Sequence, residues 1–582
     1  MLSVVVIAKN EAHNLPRCLA SVKDVADEVV VVDSGSTDGT QEVARAAGAR
    51  VFDRPFTTYA DQKNWAADQA TQPYILSLDA DESLSPRLAE ELAAWKREGG
   101  HAEVVAWSMP RRTHYIDTWI GHGGWYPDRK VRLWKAGTGS WCTAHPEGVL
   151  HEAWELHNNG THAVGQFAGD LLHHSYHTLA DHHRQLAKFS TLGAADARRA
   201  GRTARAWTPW LRAAFQWVKQ AVLQGGVRDG RAGLRIARWS AVAALWKWRQ
   251  VRHAPPRGRT VGIARTDALG DTVLTLPLAA ALRAHWPDVR IVWIGREYTR
   301  AVVESCADVD VFRSWSGPES PEAFDGLDAV VFAYPEPVAM RQADRAGVPL
   351  RVGTGRRWAG MRWLNRRTWH GRKRVPRHET LQGLRLLHAL HIPAAYRYPE
   401  PADWAGLVRL VVDPKALERV LGRLEIPRES LVRTVVLHPG NHGSANGWPL
   451  DRFSEAAAQL QAGGWQVVIT GTANELPALR SLLEAPSAVV SAVGLLDLEE
   501  LLALLAHVHV VVASSTGPLH VAAAVGTRVV GIYRSVAPFW PERWGPVGSG
   551  HAVCATSQIL ETGGLDVHVS DVLAAVGSCP RL

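Results

Sequence analysis

No uninterrupted apolar run in this chain approaches the ~18–20 residues needed to cross a bilayer, so a soluble or peripheral protein is expected rather than a membrane-spanning one. Cysteine is scarce: five residues (18, 142, 306, 554 and 579) are scattered without a CxxC pair. That spacing gives neither a disulfide framework nor a zinc site, and it fits a reduced cytosol. No signal peptide is expected either, because the chain enters an apolar strand at Ser3–Ile7 with no basic segment before it. Acid is almost absent between Gly201 and Thr260, where thirteen Lys and Arg face Asp229 alone, with six tryptophans (207, 210, 217, 239, 246 and 248) interleaved. Basic residues with interfacial aromatics suit an anionic membrane surface, the alternative being a solvated helical face with its tryptophans packed inward. No nucleic-acid-binding motif accompanies the charge, so no nucleic-acid partner is expected.

What is present reads as an ordinary globular chain, with 46% hydrophobic and 21% charged residues in 582. That length predicts three or four domains. Residues 1–177 alternate β-rich runs with helical stretches, and 178–251 form a basic, Trp-rich helical extension in which Leu211, Phe215, Val218 and Val222 recur at helical spacing. A Pro-, Gly- and Arg-containing linker spans 252–259. A second α/β series then divides into lobes at 260–400 and 401–582. The fold class is α/β throughout.

In the first part, the apolar run Glu28–Val32 ends in Asp33 and a Gly- and Ser-rich loop, and Tyr74–Leu78 ends in Asp79-Ala80-Asp81. Open α/β sheets bind ligands at the carboxyl ends of their strands. Alternate residues of a strand face one side, so Asp79 and Asp81 are expected to aim two carboxylates into one pocket. Two hard oxygen ligands suit Mg²⁺ or Mn²⁺ bridging a diphosphate. Asp33 is either a nucleotide contact or the start of an Asx turn.

Together with Val6-Ile7-Ala8-Lys9-Asn10-Glu11, Tyr59-Ala60-Asp61-Gln62-Lys63-Asn64, Gly124-Trp125-Tyr126-Pro127-Asp128, Arg132-Leu133-Trp134, Val149-Leu150-His151-Glu152 and His173-His174-Ser175-Tyr176, these residues resemble glycosyltransferase family 2, notably the lipopolysaccharide-core β-glucosyltransferases that use UDP-glucose. The resemblance implies a GT-A-like nucleotide-sugar domain. In it Asp33 contacts uridine, Asn10, Glu11, Gln62 and Lys63 meet the donor, and Asp79 and Asp81 hold the metal. The implied inverting displacement needs a base for the acceptor hydroxyl, for which Glu152 is the candidate. His173 or His174 is a candidate further metal ligand, with a core or surface histidine as the alternative.

The second part opens with Val261–Ala264 and Arg265, then Leu269-Gly270-Asp271 before an apolar helix expected over Thr272 to Leu282. Gly270 permits a tight turn, and Asp271 is either a helix-start residue or a general base. Farther on, Ser515-Thr516-Gly517-Pro518 leads into Leu519-His520 between a strand and a helix. Hydroxyls and unpaired amides at a helix N-terminus make an anion site, and simple N-capping is the alternative. The order of these elements, with His438-Pro439-Gly440, Trp448-Pro449-Leu450, Thr470-Gly471, Glu475 and Ala522–Gly526, resembles glycosyltransferase family 9, the ADP-heptose:lipopolysaccharide heptosyltransferases. This implies a GT-B-like double Rossmann domain that needs no metal. Asp271 is then the catalytic acid, and His438, Thr470, Glu475, Ser515, Thr516, Gly517 and His520 face the donor. Two positions depart from the family pattern: Asn446 replaces a cation before Trp-Pro, and Ser515 an acid.

The expectation is therefore a bifunctional transferase of lipopolysaccharide core or related surface-glycan assembly, cytoplasmic and peripheral at the inner face of the inner membrane. It would move glucose from UDP-glucose and a heptose-like sugar from an ADP-sugar onto an anionic lipid-linked acceptor. The Arg-rich stretch Arg341–Arg377 is a candidate receiver for that anion, or a solvated surface. The alternative is one active family 2 site with a C-terminal module that only binds.

Overall fold

A computed structural model describes residues 1–99, 104–143, 152–157, 163–253, 259–355, 358–369, 377–440, 447–484, 489–548, 550–561 and 563–577. By its contacts the chain falls into two units, Met1–His182 with Arg205–Trp248, and His183–Ala204 with Arg249–Leu582. The basic stretch expected as a separate extension is thus divided between them. It forms helices Leu179–Arg199, Thr208–Val218 and Gly230–Arg252, with a π turn at Lys219–Leu223. Among the described residues no helix is long and apolar enough to cross a membrane.

In the first unit, β1 (Leu2–Ala8), β2 (Glu28–Asp33), β3 (Arg50–Asp53) and β4 (Tyr74–Asp79) pair in parallel in the order β3-β2-β1-β4. The Val- and Leu-rich runs of β1, β2 and β4 are buried on both faces, which is why they read as continuous apolar text rather than alternation, whereas the edge strand β3 is partly exposed. The sheet then turns mixed. It adds β5 (Glu82–Leu84), β6 (Val104–Tyr115), β7 (Thr118–Trp119), β8 (Asp128–Lys135), β11 (Ala163–Gln166) and β12 (Leu171–Tyr176), while β9 (Gly139–Thr143) and β10 (Glu152–Leu156) form a separate hairpin. Register puts Ala8 beside Asp33 and Ile7 beside Asp79, so three strands deliver their loops to one edge at the point where strand order reverses.

The second unit carries two parallel sheets of identical plan. The first runs β15 (Val311–Ser314), β14 (Arg290–Gly295), β13 (Thr260–Ala264), β16 (Ala329–Phe332), β17 (Leu350–Thr354) and β18 (Arg366–Thr368). The second runs β21 (Val490–Ser491), β20 (Gln466–Ile469), β19 (Thr434–His438), β22 (Val510–Ser514), β23 (Arg528–Arg534) and β24 (His551–Thr556). Each has the doubly wound order in which the first strand lies beside the second and the fourth. The helix expected over Thr272–Leu282 is two, Leu269–Thr275 and Pro277–His285. Pro277 has no N–H to continue the ladder, so the chain breaks there and restarts with proline in the first turn.

Candidate functional sites

At the carboxyl edge of the first sheet, Asp33 ends β2 and folds its carboxylate back onto its own loop. It accepts from Gly35 N (3.0 Å), Ser36 N (2.8 Å), Gln41 Nε2 (2.9 Å) and the Ser36 hydroxyl. Burial alone would raise its pKa, but these hydrogen bonds outweigh it and hold Asp33 below the usual carboxylate range. The Asx turn is therefore formed. Asn10, in the left-handed region at φ 55°, stitches the neighbouring loop to this one, its N–H meeting Ser36 Oγ at 2.7 Å and its Oδ1 accepting from Thr37 N at 2.9 Å.

Asp79 closes β4, but Asp81 lies in the turn before β5 and not on the strand, so the alternation argument for a shared face does not apply. The two acids take different partners. Asp79 Oδ1 meets Lys63 Nζ at 2.8 Å, and its Oδ2 meets Arg132 Nη2 at 2.7 Å. Asp81 Oδ2 lies 3.2 Å from His173 Nε2, and β12 pins the turn by a bond from His174 N to the Asp81 carbonyl (2.9 Å). Burial opposes charge on both acids. Arg132 and Lys63 nevertheless drive Asp79 well below the usual range, and His173 lowers Asp81. Glu11 moves the other way, because burial, and then the nearby charges of Asp81, Asp38 and Asp79, raise it against a hydrogen bond from Asn14.

Lys63 Nζ also reaches Glu152 Oε1 at 2.9 Å and sits 4.6 Å from the Trp141 ring centre. Its residue is 1% exposed. Gln62 is buried as well, donating to Ser34 Oγ (3.1 Å) and the Arg54 carbonyl (3.2 Å). Both residues expected at the donor diphosphate are thus turned inward, Lys63 as a bridge joining Asp79 to the candidate base. Glu152 opens β10; His151 lies outside the described residues. Sequence reasoning missed the roles of Arg132 and Glu82. Arg132 Nη2 clamps Glu82 Oε1 (2.6 Å) as well as Asp79, and Glu82 accepts from Asp79 N (3.0 Å). The signal was weak, because β8 is mostly charged; only the position of Arg132 beside the buried Leu133 and Trp134 calls for a buried counter-charge.

The donors fit a divalent ion. A carboxylate oxygen and an imidazole nitrogen 3.2 Å apart match roughly the 3 Å edge of an octahedron with ~2.1 Å bonds. Asp79 has further acceptor positions beyond the two its cations use. Among the described residues no group of three or more His, Cys, Asp or Glu is gathered tightly enough to hold an ion alone. Mg²⁺-type sites commonly take one or two carboxylates and complete their shell with water and substrate phosphate.

In the second unit Asp271 sits in the first turn of Leu269–Thr275, where buried Arg265 grips it. The same guanidinium holds Asp267 (2.6 Å) and Glu379 (3.5 Å). Burial disfavours the Arg265 charge, yet the three acids raise its pKa above the ordinary value. Gly270 is not a turn glycine, since it lies inside the helix; a Cβ there would meet His520 Cδ2 at 2.8 Å, so it allows close approach to Gly517–Ala524. Thr516 precedes that helix but makes no side-chain cap, and its Oγ1 is buried without a partner. N-capping does not explain it. Tyr533, on the neighbouring strand β23, donates its hydroxyl to the Trp544 carbonyl (2.9 Å).

Two cavities share Gly270, Thr516 and Gly517. One, about 670 Å³, is also lined by His438 and Thr470, whose side chains meet at 3.0 Å (Nδ1 to Oγ1). Glu475 is tied into a capping box with Thr472 and presses on Gly440, where a Cβ would meet Oε1 at 2.1 Å. The other, about 330 Å³, holds Asp271, Ser515, His520, Arg534 and Arg543. Both arginines have a buried Nε without a partner, and neither was picked out from the sequence. Asn446 lies outside the described residues. Within the Arg-rich stretch, Arg351 and Arg367 donate to backbone carbonyls, which makes them structural.

Both units therefore have the α/β architecture of nucleotide-sugar enzymes, one GT-A-like and one GT-B-like. Residues 3–147 match the family model for glycosyl transferase family 2, and residues 350–562 that for glycosyltransferase family 9 (heptosyltransferase). The chain is 30% identical over 256 residues to the lipopolysaccharide core biosynthesis glycosyltransferase LpsC of Rhizobium meliloti, covering 42% of this chain and 89% of that protein. It is 44% identical over 91 residues to an uncharacterized glycosyltransferase of Rickettsia felis, covering 16% of this chain. The chain spans about a third of the length of such relatives, 32% for this one. The crystal structure of a family 9 glycosyl transferase from Veillonella parvula is 18% identical, with a TM-score of 0.47, and the alignment covers 56% of this chain and 97% of that one. The chain belongs to glycosyltransferase family 2 through its first part, joined to a family 9 (heptosyltransferase) module.

Proposed function

We propose that the chain is a two-site glycosyltransferase of lipopolysaccharide core assembly. The first site transfers glucose from UDP-glucose and the second a heptose-like sugar from an ADP-sugar, each by inverting displacement onto a lipid-linked acceptor. What supports this reading is that each unit brings an acid together with cationic side chains or helix amides near the carboxyl ends of parallel strands. In the first unit these are Glu152, Asp79, Asp81 and His173, with Lys63 between base and metal motif. In the second they are Asp271, the amides opening Gly517–Ala524, and the guanidiniums of Arg534 and Arg543.

At the first site Mg²⁺ or Mn²⁺ would be held by Asp81, Asp79 and His173, and when bound it neutralises charge on the departing nucleotide. Glu152 takes the acceptor hydroxyl's proton. At the second site Asp271 is the base, kept in place by Arg265, while helix amides and the two arginines stabilise the leaving diphosphate. Fusion raises the effective concentration of a shared acceptor at both sites.

A membrane surface completes the reading. Along Thr208–Leu223 the expected apolar stripe is exposed, with Leu211 and Phe215 both 58% and Trp210 61% accessible. Trp207, Trp217, Val218 and Val222 are exposed as well, whereas Trp246 and Trp248 pack inward. This exposed apolar stretch carries Arg212 and Lys219 within it and Arg205 and Arg228 close by in sequence, which fits an anionic bilayer at the inner membrane.

A second reading, in which the C-terminal module only binds, is favoured by Asn446 and Ser515. Separate assays with labelled UDP- and ADP-sugars test both. Asp79→Ala/Asp81→Ala removes hexose transfer and spares the other activity, while Asp271→Ala lowers the second transfer by about 10²–10⁴-fold. If Asp271→Ala leaves every transfer rate unchanged, the second active site is wrong.

A further inference from the structure

The sheet β15-β14-β13-β16-β17-β18 presents Asp271 beyond the carboxyl end of β13, and its opposite edge holds a different concentration of chemistry. There, where β13, β17 and β18 begin, lies a cavity of about 240 Å³ lined by Arg252, His253, Arg259, Trp286, Arg366 and His391 among others. Among the described residues no carboxylate lines it. Arg252, Arg259 and Arg366 have no carboxylate partner among the described residues, whereas Arg283 and Arg351 in the same lobe are paired at 2.7 and 2.6 Å.

Three further observations mark it as built rather than incidental. Arg259 Nε is buried without a partner, and so are both ring nitrogens of His391. Native structures seldom leave such groups unsatisfied. His391 is held at φ 64°, a region non-glycine residues seldom occupy, and its ring stacks on His253 at 4.1 Å and 18°. The charges acting on His391 besides burial are His253, Arg249, Arg366 and Arg252, all of one sign, and burial with those charges pushes its pKa down to about 3. The ring is therefore neutral and offers one N–H donor beside the guanidinium forks.

We propose that this cavity is a phosphate-binding site, separate from both nucleotide sites, in which Arg252, Arg259 and Arg366 fork onto a phosphate or diphosphate group and His391 donates to it. Planar guanidiniums match phosphate oxygens two at a time. At about 240 Å³ the space falls below the ~300–1,000 Å³ of sites that enclose drug-sized ligands, so it takes the phosphate group of a larger molecule or a small free anion rather than a whole nucleotide. The site does not depend on the glycosyltransferase reading and stands or falls separately from it.

Calorimetric titration of the full chain with inorganic phosphate, with ADP and UDP in excess to fill the nucleotide sites, tests it, beside sedimentation with phosphatidylcholine vesicles containing phosphatidic acid. Wild type is expected to bind saturably. Arg252→Gln/Arg366→Gln is expected to lose at least ten-fold in affinity in one or both arms, with circular dichroism confirming the fold. Arg366→Lys, which keeps the charge and loses the fork, should fall between. Loss confined to phosphate titration identifies a free anion, and loss confined to vesicles identifies a lipid-linked phosphate. If both variants titrate and sediment like wild type, the site is refuted. Should the double variant unfold, Arg366→Lys alone decides in the same way.

Discussion

Replacing Lys63 by Met separates two readings of the first site. If Lys63 is the buried bridge of the structure, with contacts of 2.8 Å to Asp79 and 2.9 Å to Glu152, its removal leaves carboxylates facing each other in a poorly solvated pocket. Breaking a buried ion pair by deleting one partner costs about 3–5 kcal/mol. For a unit of about 150–250 residues each kcal/mol lowers Tm by roughly 2–4 °C, so the transition of the first unit should fall by about 6–20 °C. Glu152→Gln is the control, because Lys63 stays paired with Asp79 and Arg132 still clamps Asp79 and Glu82. Its stability cost is smaller, while turnover drops by the ~10²–10⁴ of a lost base. Differential scanning fluorimetry reads the first quantity, and release of UDP from UDP-glucose in the presence of acceptor reads the second. A Lys63→Met protein that melts within about 2 °C of wild type and only raises KM for the donor would refute the bridge. Lys63 would then reach the donor diphosphate, as the family resemblance implies.

Two other outcomes follow from the structure. Burial holds His378 at about 4 and His520 at about 3, with an ordinary value of 6.5. Both are neutral in the fold and gain protons on unfolding, so the stability they contribute is complete above about pH 6.5 and is lost as pH falls toward 4. At pH 5 the loss is about 2 kcal/mol for each, and urea melts of the second unit that are unchanged between pH 7.5 and 5.0 would contradict it. On the membrane face, Leu211→Asp/Phe215→Asp removes two side chains worth about 1.5–3 kcal/mol each on burial. Vesicle affinity should drop by at least about 100-fold while folding stability shifts by no more than ~0.5 kcal/mol. Unaltered vesicle binding, or a change in oligomeric state instead, overturns the membrane assignment.

The architecture was legible because parallel strands buried on both faces write themselves as apolar runs, and each run here stops at a residue that matters. That signal is local: Glu28–Val32 ends in Asp33, Tyr74–Leu78 in Asp79, and Val261–Ala264 in Arg265. The pairings that decide what those residues do were not legible. Lys63 meets Glu152 across 89 positions, Arg132 meets Glu82 across 50, and Arg265 meets Glu379 across 114. Contacts at such separations follow from sheet order and leave no periodic trace. The same holds for Arg534 and Arg543, which line a cavity with Asp271 although more than half the second unit lies between them in sequence.

The two sites solve one electrostatic problem differently. Tyr59, in the first, feels Glu152, Asp79, Asp81 and Glu11 together, and Glu82 lies beside Asp79; against these five acids stand Lys63, Arg132 and, more distantly, Arg111. A site with an excess of carboxylate repels a diphosphate, so the proposed donor binding there would call for an additional cation. In the second, Asp267, Asp271 and Glu379 are met by Arg265, Arg543 also approaches Glu379 (3.6 Å), and Arg534 and Arg543 line the cavity with Asp271. Three cations there stand against three acids, and Arg534 and Arg543 line the same cavity as Thr516 and Gly517, at the opening of Gly517–Ala524. On the proposed function, this difference in residue charge, rather than in fold, would favour a metal-assisted departure in the first module and an arginine- and amide-assisted one in the second.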